Sequence, residues 1–180
     1  MKRIFLTLVA GSLLFSCSQP KPAETAVTEV ATPPPPAEFA DPKYAEIGKN
    51  GIAQLSSGDI DGWMNSFSDN AVYSWSSGDS LSGKAAITAY WKDRRSNVID
   101  KLVFQKDIWL AIKVNKPQQG PDIPGIWLMS WYQIHATYKN GKSVAMWVHS
   151  DMHFDSSDKI DRFIQYMDRA PINAALAAKK

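Results

Sequence analysis

Alternation of apolar and polar side chains is strongest in the second half of the chain. Residues 102–114, 127–138 and 143–154 each run in period two, as half-buried strands do. A shorter run at 71–75 and a last one at 160–167 predict two further strands. The first half carries helical spacing instead. Tyr44, Ile47, Ile52 and Leu55 predict a helix over 44–57, stopped by Gly58. Asp59 and Asp61 are placed to cap a second short helix through Phe67, with Trp63, Met64 and Phe67 on its buried side. Gly78 and Gly83 punctuate a loop. A third helix over 84–95 is expected to bury Ala86, Ile87, Tyr90 and Trp91. Helices first and a largely antiparallel sheet after them make an α+β domain.

The sequence Lys139-Asn140-Gly141-Lys142 predicts a two-residue hairpin of type I′, because Asn and Gly tolerate positive φ. That turn sets Tyr138 opposite Ser143 and Trp131 opposite Ser150. One face then carries Trp127, Met129, Trp131, Gln133 and His135 with Met146, Val148, Ser150, Met152 and Phe154. The other carries Leu128, Ser130, Tyr132 and Ile134 with Trp147, His149, Asp151 and His153. Each large side chain buried contributes about 1.5 to 3 kcal/mol, which turns the first, more apolar face inward. His149, Asp151 and His153 share the outer face, so a metal site or acid–base pair is not expected of them. His135 is expected partly buried on the inner face.

Composition changes the picture at the amino terminus. Lys2 and Arg3 precede a wholly uncharged, mainly apolar stretch over 4–16, too short for a span that needs about 20 apolar residues. It ends in Leu14-Phe15-Ser16-Cys17, which resembles the bacterial lipobox. That resemblance implies cleavage after residue 16 and acylation of Cys17, the only cysteine in the 180 residues. A multiply acylated cysteine holds a chain stably on a bilayer. Residues 17–40 then read as a lipidated, proline-rich spacer with four consecutive prolines at Pro33–Pro36. Residues 41–180 form one domain holding all seven tryptophans. Loss of the leader leaves basic and acidic residues equal in number, and no basic patch points to nucleic acid. The expected location is the cell envelope, at the periplasmic face or outer membrane.

Three segments carry a family likeness. Gly58-Asp59-Ile60-Asp61-Gly62-Trp63, Phe67-Ser68-Asp69-Asn70-Ala71-Val72 and Ser82-Gly83-Lys84-Ala85-Ala86-Ile87 resemble the SnoaL-like branch of the nuclear transport factor 2-like superfamily. Asp158-Lys159-Ile160 and Tyr166-Met167-Asp168 resemble its closing strand. The resemblance implies three amino-terminal helices packed on a curved, mostly antiparallel sheet, forming a cone with an apolar interior. Members include isomerases, cyclases, epoxide hydrolases and non-enzymatic domains. By that resemblance the oxyanion tyrosine of ketosteroid isomerases falls on Gly51, their base on Trp75 and their protonated aspartate on Ser150. The acting aspartate of limonene epoxide hydrolases falls on Gln165. None of these four residues ionises, which leans against catalysis.

The expected cone lining is therefore aromatic: Tyr73, Trp75, Tyr90, Met129, Trp131, Met152 and Phe163, with Gln133, His135, Ser150 and Gln165 as hydrogen-bonding groups. Apolar walls with sparse polar groups suit a small apolar or aromatic ligand and call for no cofactor. The same aromatics filling the cone as plain core is the competing expectation. Two other functions compete. One is an enzyme using His135, Asp107 or Asp168. The other is an interaction module that dimerises through Tyr132, Ile134 and Trp147 on the outer sheet face. The loop over 116–125, with Pro117, Pro121 and Pro124, is a candidate lid or partner contact.

Overall fold

A computed structural model describes residues 33–117 and 123–177. Cys17 and the leader lie outside the described residues, as does the middle of the 116–125 loop. Among the described residues, no helix is long and apolar enough to cross a membrane.

The first helix, α1, spans Lys43–Ser57 and buries Tyr44, Gly48, Gly51 and Leu55. The buried edge is one position away from the expected Ile47 and Ile52, which are only half-buried. The reason is close packing: a side-chain carbon at Gly48 would collide with the Trp109 ring and lie 2.8 Å from Leu128. Gly58 ends α1 in the left-handed region at φ 87°. Asp59 caps α2 (Ile60–Met64) by accepting from the Gly62 amide at 2.9 Å. The helix α3 (Lys84–Asp93) buries Ile87 and Trp91 and leaves Ala86 exposed. It widens into a π-helical turn over Arg94–Val98.

Seven strands form one sheet. They are β1 (Ala37–Phe39), β2 (Phe67–Trp75), β3 (Ser80–Ser82), β4 (Ile99–Val114), β5 (Gly125–Tyr138), β6 (Ser143–Phe154) and β7 (Ile160–Tyr166). Their order is β1-β4-β5-β6-β7-β2-β3, antiparallel except for β2 beside β7. Two strands were not legible in the sequence pattern. Inside the expected linker, β1 pairs with the end of β4; β3 turns the expected glycine loop into a hairpin with β2. A final helix, α4 (Ala170–Ala177), also went unforeseen and buries no residue fully. Asp168 accepts from the Ala170 amide at its start.

The β5–β6 hairpin corrects the sequence expectation by one residue. Gly141 alone takes a positive φ, at 85°. Its amide donates to the Tyr138 carbonyl at 2.8 Å, and the Tyr138 amide to the Lys142 carbonyl at 2.8 Å. This is a three-residue loop closed by a glycine bulge, not a two-residue type I′ turn. Tyr138 therefore stands beside Lys142, and the ladder runs Trp131 opposite His149 and Ser130 opposite Ser150.

A slip of one residue exchanges the faces of a strand. The inner face of β5 is Leu128, Ser130, Tyr132, Ile134, Ala136 and Tyr138, all buried. On β6 the inner side is the expected one, with Val148, Ser150, Met152 and Phe154 buried. The hydrophobic core joins these side chains to Trp63, Phe67, Tyr73, Ile87, Trp91 and Phe163 beneath the helices.

Candidate functional site

Tyr73 and Phe163 stack at 4.6 Å in near-parallel planes, Phe67 stacks against Phe163 at 6.1 Å, and Trp63 packs edgewise on both phenylalanines. These rings fill the deep end of the cone. The space left there is about 20 Å³, room for one or two waters. Around it lies a closed polar network. The Tyr73 hydroxyl donates to Gln165 Oε1 at 2.8 Å, Tyr132 Oη and Ser150 Oγ lie 2.9 Å apart, and the Ser130 hydroxyl donates to the Ser150 carbonyl at 3.2 Å. Burial pushes both Tyr73 and Tyr132 above the ordinary phenol value, so both hydroxyls remain neutral. Tyr73, Met152 and Phe163 are thus packed core, as the competing expectation had it.

The mouth of the cone is different. A cavity of about 90 Å³ opens there. Trp75, Tyr90, Trp91, Phe104, Ile134 and Tyr138 form its main walls, Gln165 lies on its lining, and Ile172 and Leu176 of α4 cover it. Trp75 and Tyr90 meet at 5.2 Å. Arg94 lies 5.9 Å over the Tyr90 ring, and Arg169 lies 6.0 Å over Trp75 while pairing with Asp79 at 2.8 Å. Among the described residues, neither cavity is lined by aspartate, glutamate or histidine.

Of the expected lining, Trp75, Tyr90 and Gln165 reach this mouth, and Ser150 is fully buried on the inner face. Met129, Trp131, Gln133 and His135 do not: they belong to the outer face, because the bulged turn shifts β5 by one position. Their places inside are taken by Ser130, Tyr132, Ile134 and Ala136. Asn-Gly points to a two-residue turn from sequence, and here it sits instead in a three-residue loop with only Gly141 at positive φ. The other catalytic candidates also sit elsewhere. His135 is exposed, Asp107 accepts from Trp109 Nε1 at 2.6 Å in the exposed bulge of β4, and Asp168 caps α4.

No family model matches the chain, and no curated protein does. Solved structures do. A candidate polyketide cyclase from Xanthomonas campestris superposes with a TM-score of 0.60 at 11% identity, covering 75% of this chain and 97% of that one. A candidate SnoaL-like polyketide cyclase from Shewanella denitrificans gives 0.56 at 14%, covering 76% and 98%. An LEH-like epoxide hydrolase from Mycobacterium tuberculosis gives 0.53 at 14%, covering 74% and 89%. The fold is the nuclear transport factor 2-like cone. At such identities the likeness speaks for the fold alone.

The cone's outer face holds the histidines. His149 Nδ1 faces the Ser130 carbonyl at 2.9 Å, and its ring lies between Trp131 and Tyr166 at 4.7 and 5.4 Å. Its Nε2 is 3.0 Å from Asp151 Oδ1, at ion-pair distance but out of line for a hydrogen bond. Burial raises the Asp151 carboxyl above its ordinary value, partly offset by His149. His153 is a further correction. It is buried rather than solvated, because the start of β5 covers it: Nε2 is 3.2 Å from the Pro124 carbonyl and Nδ1 2.6 Å from Asp161. The three residues do not converge, since each histidine has its own carboxylate and carbonyl.

Proposed function

We propose that this chain is a lipid-anchored domain of the bacterial cell envelope whose cone binds a small apolar or aromatic molecule at its mouth. One observation carries the reading: the deep cone is filled by rings, while its mouth keeps a cavity walled by Trp75, Tyr90, Trp91 and Phe104. Small-molecule sites usually measure about 300 to 1,000 Å³, so a polyketide-sized substrate has no room here. Even a benzene-sized ring needs about 150 Å³, so a ring enters by displacing Ile172 and Leu176. That displacement is inexpensive, since α4 buries no residue fully. An aromatic cavity without an ionisable base favours binding over proton transfer, which needs a titratable group within reach.

The anchor rests on the lipobox at Cys17. Cys17→Ala should release the chain from membranes into the soluble fraction; continued sedimentation with membranes would contradict the anchor. For the cavity, native mass spectrometry of purified protein should detect a small mass excess lost on denaturation. A cavity that takes no small aromatic molecule, retained or added, would end the reading.

A second reading is self-association of the cone. Phe39, Ile108, Trp147 and Tyr166 are exposed and lie on the outer sheet face. Large apolar groups gathered on one face favour a partner surface. This patch differs from the one expected from sequence, since Tyr132 and Ile134 are core. Sedimentation should give a dimer that Trp147→Lys converts to monomer; a strict monomer sinks this second reading.

A further inference from the structure

We infer that the mouth of the cone takes its ligand as a small carboxylate, with Arg94 as the anion's anchor. The inference rests on the ligand-binding reading of that cavity and adds the chemical class. Arg94 lines the cavity and forms no ion pair among the described residues. Its counterpart Arg169 is committed to Asp79 and to Ser77 Oγ at 3.0 Å. Tyr138 lines the same cavity, and its hydroxyl makes no hydrogen bond among the described residues. Burial holds that hydroxyl above the ordinary phenol value, so it is a neutral donor, with the Arg94 charge close enough to oppose the rise.

Among the described residues, anionic acceptors are absent from the lining: the Gln165 carbonyl oxygen is occupied by Tyr73, Asn173 offers a neutral amide that is donor and acceptor alike, and no carboxylate lines the space. An aromatic-walled chamber with an unmatched phenol donor and a guanidinium free of any ion pair is complementary to an anion. A planar carboxylate matches the guanidinium fork with two parallel hydrogen bonds. Its apolar body then lies among Trp75, Tyr90 and Phe104. Arg94 is aimed by the π-helical turn that begins at its own position, where α3 widens. Such single-turn widenings frequently mark functional positions.

The test compares acids with their neutral alcohols in the full-length chain, by titration of tryptophan fluorescence. Isobutyrate is set against isobutanol, and benzoate against benzyl alcohol. The acids should bind about tenfold more tightly at low salt, the worth of one charge-assisted hydrogen-bond pair. Arg94→Gln should erase the acids' preference over their alcohols, while Arg94→Lys should restore part of it. Equal affinity for acid and alcohol, or a preference that survives Arg94→Gln, overturns the carboxylate assignment and leaves the cavity reading standing. Failure of all four molecules to bind overturns both.

Discussion

Ser130 and Ser150 face each other across β5 and β6, both fully buried, with the Ser130 hydroxyl donating to the Ser150 carbonyl at 3.2 Å. Ser150 Oγ in turn lies 2.9 Å from the Tyr132 hydroxyl. Small polar residues at this point let Tyr132 lie inside the cone without an orphaned hydroxyl. Removing one partner of a buried hydrogen bond costs about 1 to 3 kcal/mol. Ser150→Ala should lower stability by that amount in urea unfolding. In a Tyr132→Phe background, Ser150→Ala should cost less, since no hydroxyl is then abandoned.

The strand phase has its own test. Ile134 is buried and His135, its neighbour, is exposed. Ile134→Ala should cost about 2 to 5 kcal/mol, whereas His135→Ala should stay within about 0.5 kcal/mol. Equal costs, or the reverse order, would contradict the three-residue turn.

At Gly48, the Trp109 ring and Leu128 occupy the space a side chain needs. Gly48→Ala should lose about 1 to 3 kcal/mol through forced repacking, outweighing the helix propensity gained from alanine. A thermal melt of the variant checks this. A more stable protein would mean that α1 is not packed so closely on the sheet.

Two aspartates should impose opposite slopes on stability against pH. Burial holds folded Asp151 above its ordinary value of 3.8, so stability should fall as pH rises from there through the folded value. Hydrogen bonds from Lys43 and Tyr44 hold folded Asp158 below 3.8. Its contribution is present above 3.8 and lost as pH falls through the folded value. Urea unfolding across pH 3 to 7 should therefore show Asp151→Asn gaining on the native chain toward neutrality. Asp158→Asn should lose stability toward neutrality. Slopes of the same sign for both variants would contradict these environments.

Much of this architecture was legible in the chain. Period-two runs marked β4 to β7, and Gly58 with Asp59 marked the junction of α1 and α2. What escaped was decided by contacts far apart in sequence. Three residues pair as β1 because the end of β4 is open to receive them. Gly48 and Gly51 are buried because Trp109 and Trp63 press on them. The faces of β5 were nearly balanced in apolar content, with Trp127, Met129 and Trp131 against Leu128, Tyr132 and Ile134. Hydrophobicity could not choose between them, and a single residue in the turn did. Trp75, Tyr90 and Gln165 were placed on the inner side by signals that do not depend on that turn, whereas Ile134, Ala136 and Tyr138, which also line the mouth, do depend on it.

A binding cavity at the mouth of the cone, unlike a packing defect, must lose its ligand when it is filled. Ala136 is buried on its wall, and Ala136→Leu fills the space from within. Titration of benzyl alcohol against the native chain and this variant is the most direct test, with equal melting temperatures confirming the fold. Saturable binding to the native chain that Ala136→Leu abolishes is the expected result. Equal binding to both, or none to the native chain, would contradict it.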